Sequence, residues 1–150
     1  MTGRNKLYLD VCTLCRPFDN QDLMRIRLET DAYYLILQAV QSGNYEMIVS
    51  PVHLQEIDAI RDFQERCEIS AILEKFGTKP KPDLTPIRRR AEYLCTIKVG
   101  VADAAHVAFS ESTADFFISC DDKLLKCCAR IGVEILAMNP VEFCMRENLR

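Results

Sequence analysis

The sequence predicts an α/β fold, a parallel sheet with helices on both faces. Three observations point there. Short apolar runs that read as strands alternate with longer segments of helical period, the pattern that builds βαβ units. The 150 residues, about half of them apolar and 27% charged, suit one soluble domain, taken as residues 1–150. No internal repeat or linker-like tract interrupts them.

Lys6-Leu7-Tyr8-Leu9-Asp10-Val11 reads as a buried strand that meets an acid at its carboxyl end. Residues 29–42 carry Ala32, Leu35, Ile36, Ala39 and Val40 at helical spacing, with Asp19 and Asp22 as capping residues ahead of them. Gly43-Asn44 stops that helix, and residues 46–50 form a second strand. Ser50-Pro51 then supplies a cap and a first-turn proline for a helix carrying Leu54, Ile57, Ile60 and Phe63. A further helix over 68–76 ends at Gly77, and Lys79-Pro80-Lys81-Pro82-Asp83 is a projecting loop. Residues 87–98 are helical, with Arg88, Arg89 and Arg90 in the first turns. Gly100 precedes a small-residue helix over 102–112. A third strand over 115–120, a helix over 122–131, a fourth strand over 133–136 and a last helix from Pro140 complete the chain.

Composition narrows the function classes. No apolar run approaches the roughly 20 residues of a membrane span. The basic start, Met1-Thr2-Gly3-Arg4-Asn5-Lys6, is followed by too short an apolar stretch for a signal peptide, so a cytoplasmic location is expected. The eight cysteines are then read as reduced thiols and small buried groups. Cys12-x-x-Cys15 has redox or metal spacing, but no second pair completes a zinc site. A thiol-based sensor using Cys12 and Cys15 is the reading from a different class. The net charge of -3, acidic in the first half, is not that of a broad basic nucleic-acid surface.

Ligands in parallel sheets bind beyond the carboxyl ends of the strands. Asp10 and Asp121 follow the first and third strands, Glu56 sits in the helix after the second, and Asp103 opens the helix after Gly100. Each acid alone reads equally well as a cap or an exposed charge. Together on one crevice they would repel one another and need a cation. Oxygen ligands favour Mg²⁺ or Mn²⁺, and two such ions about 4 Å apart assist phosphodiester hydrolysis. Arg88, Arg89 and Arg90, with Lys79, Lys81 and Arg16, are the candidate phosphate contacts. His53 and His106 are read as structural, with a donor behind the carboxylates as the alternative for His106.

Four stretches carry a family resemblance: Tyr8-Leu9-Asp10-Val11-Cys12, residues 50–57 from Ser50 to Ile57, residues 100–108 around Asp103 and His106, and Phe117-Ile118-Ser119-Cys120-Asp121. In this order, over residues 8–121, they resemble the PIN-domain family, which includes the VapC-type toxins of bacterial toxin–antitoxin pairs. The third stretch is the most specific. The resemblance implies a three-layer α/β/α sandwich on a parallel sheet of about four to five strands, and Mg²⁺- or Mn²⁺-dependent cleavage of RNA. It makes Asp10, Glu56, Asp103 and Asp121 the catalytic and metal-holding acids, with Ser119 orienting the site and Asp122 as the adjacent alternative. It also implies a homodimer and, for a toxin, a cognate antitoxin. Cys12 departs from the Asn, Ser or Thr of many relatives, and Thr13 is the residue that could substitute. A non-catalytic RNA-binding or protein-interaction module of the same fold is the alternative function.

Overall fold

The computed structural model describes residues 5–150; the basic start of the chain at residues 1–4 lies outside them. Five parallel strands form one sheet, in the order β3-β2-β1-β4-β5: β1 (Lys6–Leu9), β2 (Glu46–Ile48), β3 (Gly77–Thr78), β4 (Phe116–Ile118) and β5 (Leu136–Met138). The helices are α1 (Val11–Leu14), α2 (Met24–Gln41), α3 (Pro51–Asp58), α4 (Phe63–Phe76), α5 (Leu84–Thr96), α6 (Val101–Thr113), α7 (Asp122–Ile131) and α8 (Pro140–Arg146).

Alternation along the strands builds the layers. Leu7, Leu9, Met47, Phe116 and Ile118 point to one face, where they pack with Tyr33 and Ile36 of α2, Ile57 of α3, Ile69 and Leu73 of α4 and Phe143 of α8. Tyr8, Ile48 and Phe117 point to the other, against Leu94 of α5, Ala104 and Val107 of α6, and Leu124 and Cys128 of α7. The two cores make the three-layer α/β/α sandwich. These strand residues are fully or nearly fully buried, which is why they read as continuous apolar runs.

Several elements differ from their sequence expectations. β1 ends at Leu9 because Asp10 already caps the short helix α1, its carboxylate accepting from the Val11 amide at 2.8 Å. Helix α2 starts five residues earlier than its apolar period shows, and neither Asp19 nor Asp22 caps it. Asp19 instead pairs with Arg16, and the Asp22 amide donates to Asn20. The helix expected to run from Pro51 through Phe63 is two helices, because Asp62 opens α4 by accepting from the Glu65 amide. Phe63 is consequently 69% exposed.

Strand β3 went unread because it is two residues long and follows a helix directly. A side chain at Gly77 would collide with the Leu73 carbonyl and with Val49, so only glycine lets the strand leave α4 at this point. β5 lies later than the 133–136 expected. Gly132, with φ 67°, and Val133 turn back to the Cys128 carbonyl, and the chain needs those residues to close α7 before it can pair with β4.

The strand order fixes where a crevice opens. From β1 the chain runs outward through β2 and β3, then returns to the other side of β1 for β4 and β5. The carboxyl ends of β1 and β4 flank this switch point, the place where parallel sheets bind ligands.

Candidate metal centre

Asp10 and Asp121 leave the two strands at the switch point. Asp10 is 6% exposed. One of its oxygens caps α1, while Oδ2 accepts from the Ser119 hydroxyl at 2.8 Å and from the Cys12 thiol at 3.3 Å. Ser119 is fully buried and also accepts from the Asp121 amide at 3.0 Å, so one hydroxyl ties the two strand-end acids together. Asp121 in turn caps α7 through the Leu124 amide. Capping and site formation are therefore the same act here.

Glu56 reaches the cluster from the second turn of α3, and His106 from α6 meets it with Nε2. A carboxylate only accepts, so Nε2 donates. Behind it, the Tyr8 hydroxyl lies 2.5 Å from Nδ1 and 2.7 Å from the Ser50 hydroxyl. Burial above all raises the Tyr8 pKa, so the phenol keeps its proton and donates to Nδ1 while accepting from Ser50. Ser50 closes the chain as N-cap of α3, with His53 completing a capping box. His53 accepts from the Ser50 amide at Nδ1 and donates to the Leu9 carbonyl from Nε2 at 2.7 Å. Desolvation lowers its pKa to about 4, so it is a neutral strut.

The electrostatics are unbalanced. The His106 hydrogen bond, opposed by partial burial, holds the Glu56 carboxyl below its ordinary value. Asp103, in the first turn of α6, is pushed up by desolvation and then by the charges of Asp10 and Asp121. Among the described residues no lysine or arginine forms an ion pair with Asp10, Glu56, Asp103 or Asp121. Asp10, Glu56 and His106 offer ligand atoms that all lie within 4.8 Å of one another, and they could hold a metal ion. A half-buried acid repelled by its neighbours, beside a mainly oxygen donor set, fits a hard divalent cation.

Other expected site residues are engaged elsewhere. Both Asp122 oxygens are held by Arg25, at 2.6 and 2.7 Å. The Thr13 hydroxyl donates to the Ile118 carbonyl at 3.3 Å and does not stand in for residue 12. Cys12 itself fills that place. Its thiol, set beside Cys120, buried and facing Asp10, is held well above the usual thiol range and keeps its proton to donate to Asp10. Cys15 is pushed up to about 12 by burial and then by Glu65, and among the described residues no cysteine joins a metal-ligand group. Cys12 and Cys15, the thiols of the alternative sensor reading, are both free and partly buried.

The basic candidates also move. Arg16 is committed to buried Glu29 at 2.8 Å and to Asp19 at 3.0 Å. Arg90 grips Glu111 with two nitrogens, at 2.9 and 3.1 Å. Glu111 is eight residues along α6 from Asp103, about 12 Å at 1.5 Å per residue, and exposed Arg88 and Arg89 share the helical turn of Arg90. Lys79 lies 3.7 Å from Glu74. Lys81 sits with Lys6 and Glu46, which begin β1 and β2, at the opposite end of those strands from Asp10.

Tyr8, and the bond that Ser50 makes to it, are what sequence reasoning passed over, while His106 takes the role weighed for it as the alternative, a donor behind the carboxylates. The one available signal was the three-residue spacing of Asp103 and His106, which puts both on neighbouring parts of one helix face. Compared with protein-family models and with curated protein sequences, the chain matches none.

Proposed function

We propose that this chain is a Mg²⁺- or Mn²⁺-dependent endoribonuclease, hydrolysing RNA phosphodiester bonds at the crevice between β1 and β4. The observation that carries the reading is the gathering of four carboxylates from four segments with, among the described residues, no lysine or arginine paired to any of them. Asp10 is the fixed centre, since three donors lock its orientation. His106 holds Glu56 beside it, and Asp103, which feels the charges of Asp10, Asp121 and Glu56, lines a neighbouring groove with Asp121. These acids would hold the cation, which when bound supplies charge neutralisation and polarisation for phosphodiester hydrolysis. Ser119 keeps Asp10 and Asp121 in register, and Tyr8 keeps His106 aimed at Glu56.

The reading predicts cleavage of an RNA oligonucleotide in Mg²⁺ or Mn²⁺, abolished by a chelator and by Asp10→Asn. An Asp10→Asn variant as active as the wild type contradicts it. A second reading, a non-catalytic RNA-binding or protein-interaction module, draws on the Glu56–His106 hydrogen bond, which occupies one Glu56 oxygen without any cation. RNA binding indifferent to metal, with no cleavage products, selects that reading. A toxin role with a cognate antitoxin, a homodimer and a cytoplasmic location are proposed on the resemblance and on composition. A short upstream gene encoding a DNA-binding protein supports the toxin role, and light scattering reads the oligomeric state. Among the described residues no helix is long and apolar enough to cross a membrane.

A further inference from the structure

Beside the carboxylates runs a groove of about 510 Å³ between α7 and the turn before α6. Asp103 and Asp121 line it together with Lys98, Lys123, Lys126 and Arg130. On α7 the last three follow at i, i+3 and i+7, so they share one exposed face of the helix, about 10 Å long at 1.5 Å per residue. Leu124 and Cys128 of the same helix are buried in the core.

What sets these four cations apart is their place, since they share one groove with Asp103 and Asp121. Arg16, Arg25, Arg90 and Lys79 are each paired with a carboxylate. Among the described residues, Lys98, Lys123, Lys126 and Arg130 form no ion pair. They do not fold back onto Asp103 or Asp121, although they line the same groove. Groups present only to neutralise those acids would sit on them. Instead the groove carries a separate positive rim next to a negative centre, on a chain whose net charge is -3.

We propose that this rim binds the phosphodiester backbone of a single-stranded polynucleotide and leads it to Asp103 and Asp121; this rests on the nuclease reading for the fate of the strand but not for its binding. Among the described residues no aromatic side chain lines the groove, so bases are not stacked there, and recognition is through charge rather than sequence. In this assignment Lys98, Lys123, Lys126 and Arg130 take the place of Arg88, Arg89 and Arg90 as the phosphate contacts.

The test is fluorescence anisotropy in Mg²⁺ with a labelled 12-nucleotide 2′-O-methyl RNA, which resists cleavage, and with single-stranded DNA of the same sequence. Wild type is compared with Lys123→Gln/Lys126→Gln/Arg130→Gln and with Arg88→Gln/Arg89→Gln, after circular dichroism has shown that each is folded. Each phosphate contact on a single strand contributes about 0.7 to the slope of log K against log salt. The triple variant is expected to lose about 2 from that slope and at least tenfold in affinity near 0.1 M salt, while the Arg88/Arg89 variant binds as wild type. The same loss with both probes assigns the bare phosphodiester backbone, and loss seen with RNA alone assigns RNA as the source. An unchanged slope in the triple variant overturns the proposal. So does binding of polyglutamate in place of either polynucleotide.

Cleavage of unmodified RNA separates the two claims. If the wild type binds through the rim but never cleaves, the nuclease reading fails and the groove assignment stands. If the triple variant cleaves with unchanged KM, the groove assignment fails and the nuclease reading stands.

Discussion

Tyr8→Phe removes a single oxygen from the structure, and that oxygen joins two layers of the fold. Tyr8 stands on β1, Ser50 opens α3, and His106 comes from α6. The ring itself is retained by its neighbours, with His53 at 4.5 Å and Phe117 at 5.9 Å between centroids, so phenylalanine leaves no cavity. The cost is polar. Ser50 keeps the His53 backbone amide as a partner, but Nδ1 of His106, a residue 1% exposed, loses its hydroxyl partner. A buried group left unsatisfied costs about 1–3 kcal/mol, so about 2 kcal/mol of stability is expected. At about 2–4 °C per kcal/mol for a chain this size, the melting temperature should fall by about 4–8 °C.

Calorimetry or denaturant unfolding reads this loss, and nitrogen NMR of the histidine ring reads its cause. The wild type should show the proton of His106 on Nε2. Because Tyr8 acts on Glu56 only through His106, Tyr8→Phe and Glu56→Gln should be non-additive by at least about 0.5 kcal/mol, although the two side chains do not hydrogen-bond each other. Equal stability of Tyr8→Phe and wild type, or strictly additive effects, would refute the hydrogen-bond chain from Ser50 to Glu56.

Four further outcomes follow from the same geometry. His53 has a folded-state pKa of about 4 against 6.5 when free, so the unfolded chain takes the proton first. Stability contributed by neutral His53 is complete above pH 6.5, falls as pH drops toward 4 and levels below that, an effect of about 3 kcal/mol, readable from unfolding at several pH values. The His53 ring resonances should stay those of the neutral form at pH 5.5. Asp103→Asn removes a carboxyl whose pKa is raised by burial and by like charges, so the metal-free variant should melt at or above the wild-type temperature near pH 7, yet gain less from added Mn²⁺. Ser119→Ala breaks the bridge between Asp10 and Asp121 and should cost about 2–3 kcal/mol by denaturant unfolding, as expected for a lost hydrogen bond to a charged group. Cys12→Ser should keep activity near the wild-type rate, since a hydroxyl can replace the thiol as donor to Asp10.

Much of this architecture can be read in one dimension. Leu7, Leu9 and Phe116 to Ile118 announce buried parallel strands, and Ser50-Pro51 announces a helix start. Asp10 and Asp121 are legible as site acids because strand ends in a parallel sheet face one crevice. What local pattern cannot carry is side-chain reach between layers. His106 looks like any buried histidine until α6 is laid across β1 and its ring is seen bonded to Glu56 and Tyr8 at once. Charge behaves similarly. Arg88-Arg89-Arg90 stands out as a run, yet Arg90 is tied to Glu111, whereas Lys98, Lys123, Lys126 and Arg130 are scattered in sequence and share one groove. β3 and α1 escaped because each is shorter than the window in which a period can be recognised.

Whether Asp10 and its neighbours hold a divalent cation is read most directly by electron paramagnetic resonance, which counts free Mn²⁺ during a titration of the protein. The wild type is expected to remove at least one equivalent of Mn²⁺ from solution, and Asp10→Asn, folded by circular dichroism, to lose most of that capacity. A wild type that leaves all the Mn²⁺ free, or an Asp10→Asn variant that binds it equally well, contradicts the account.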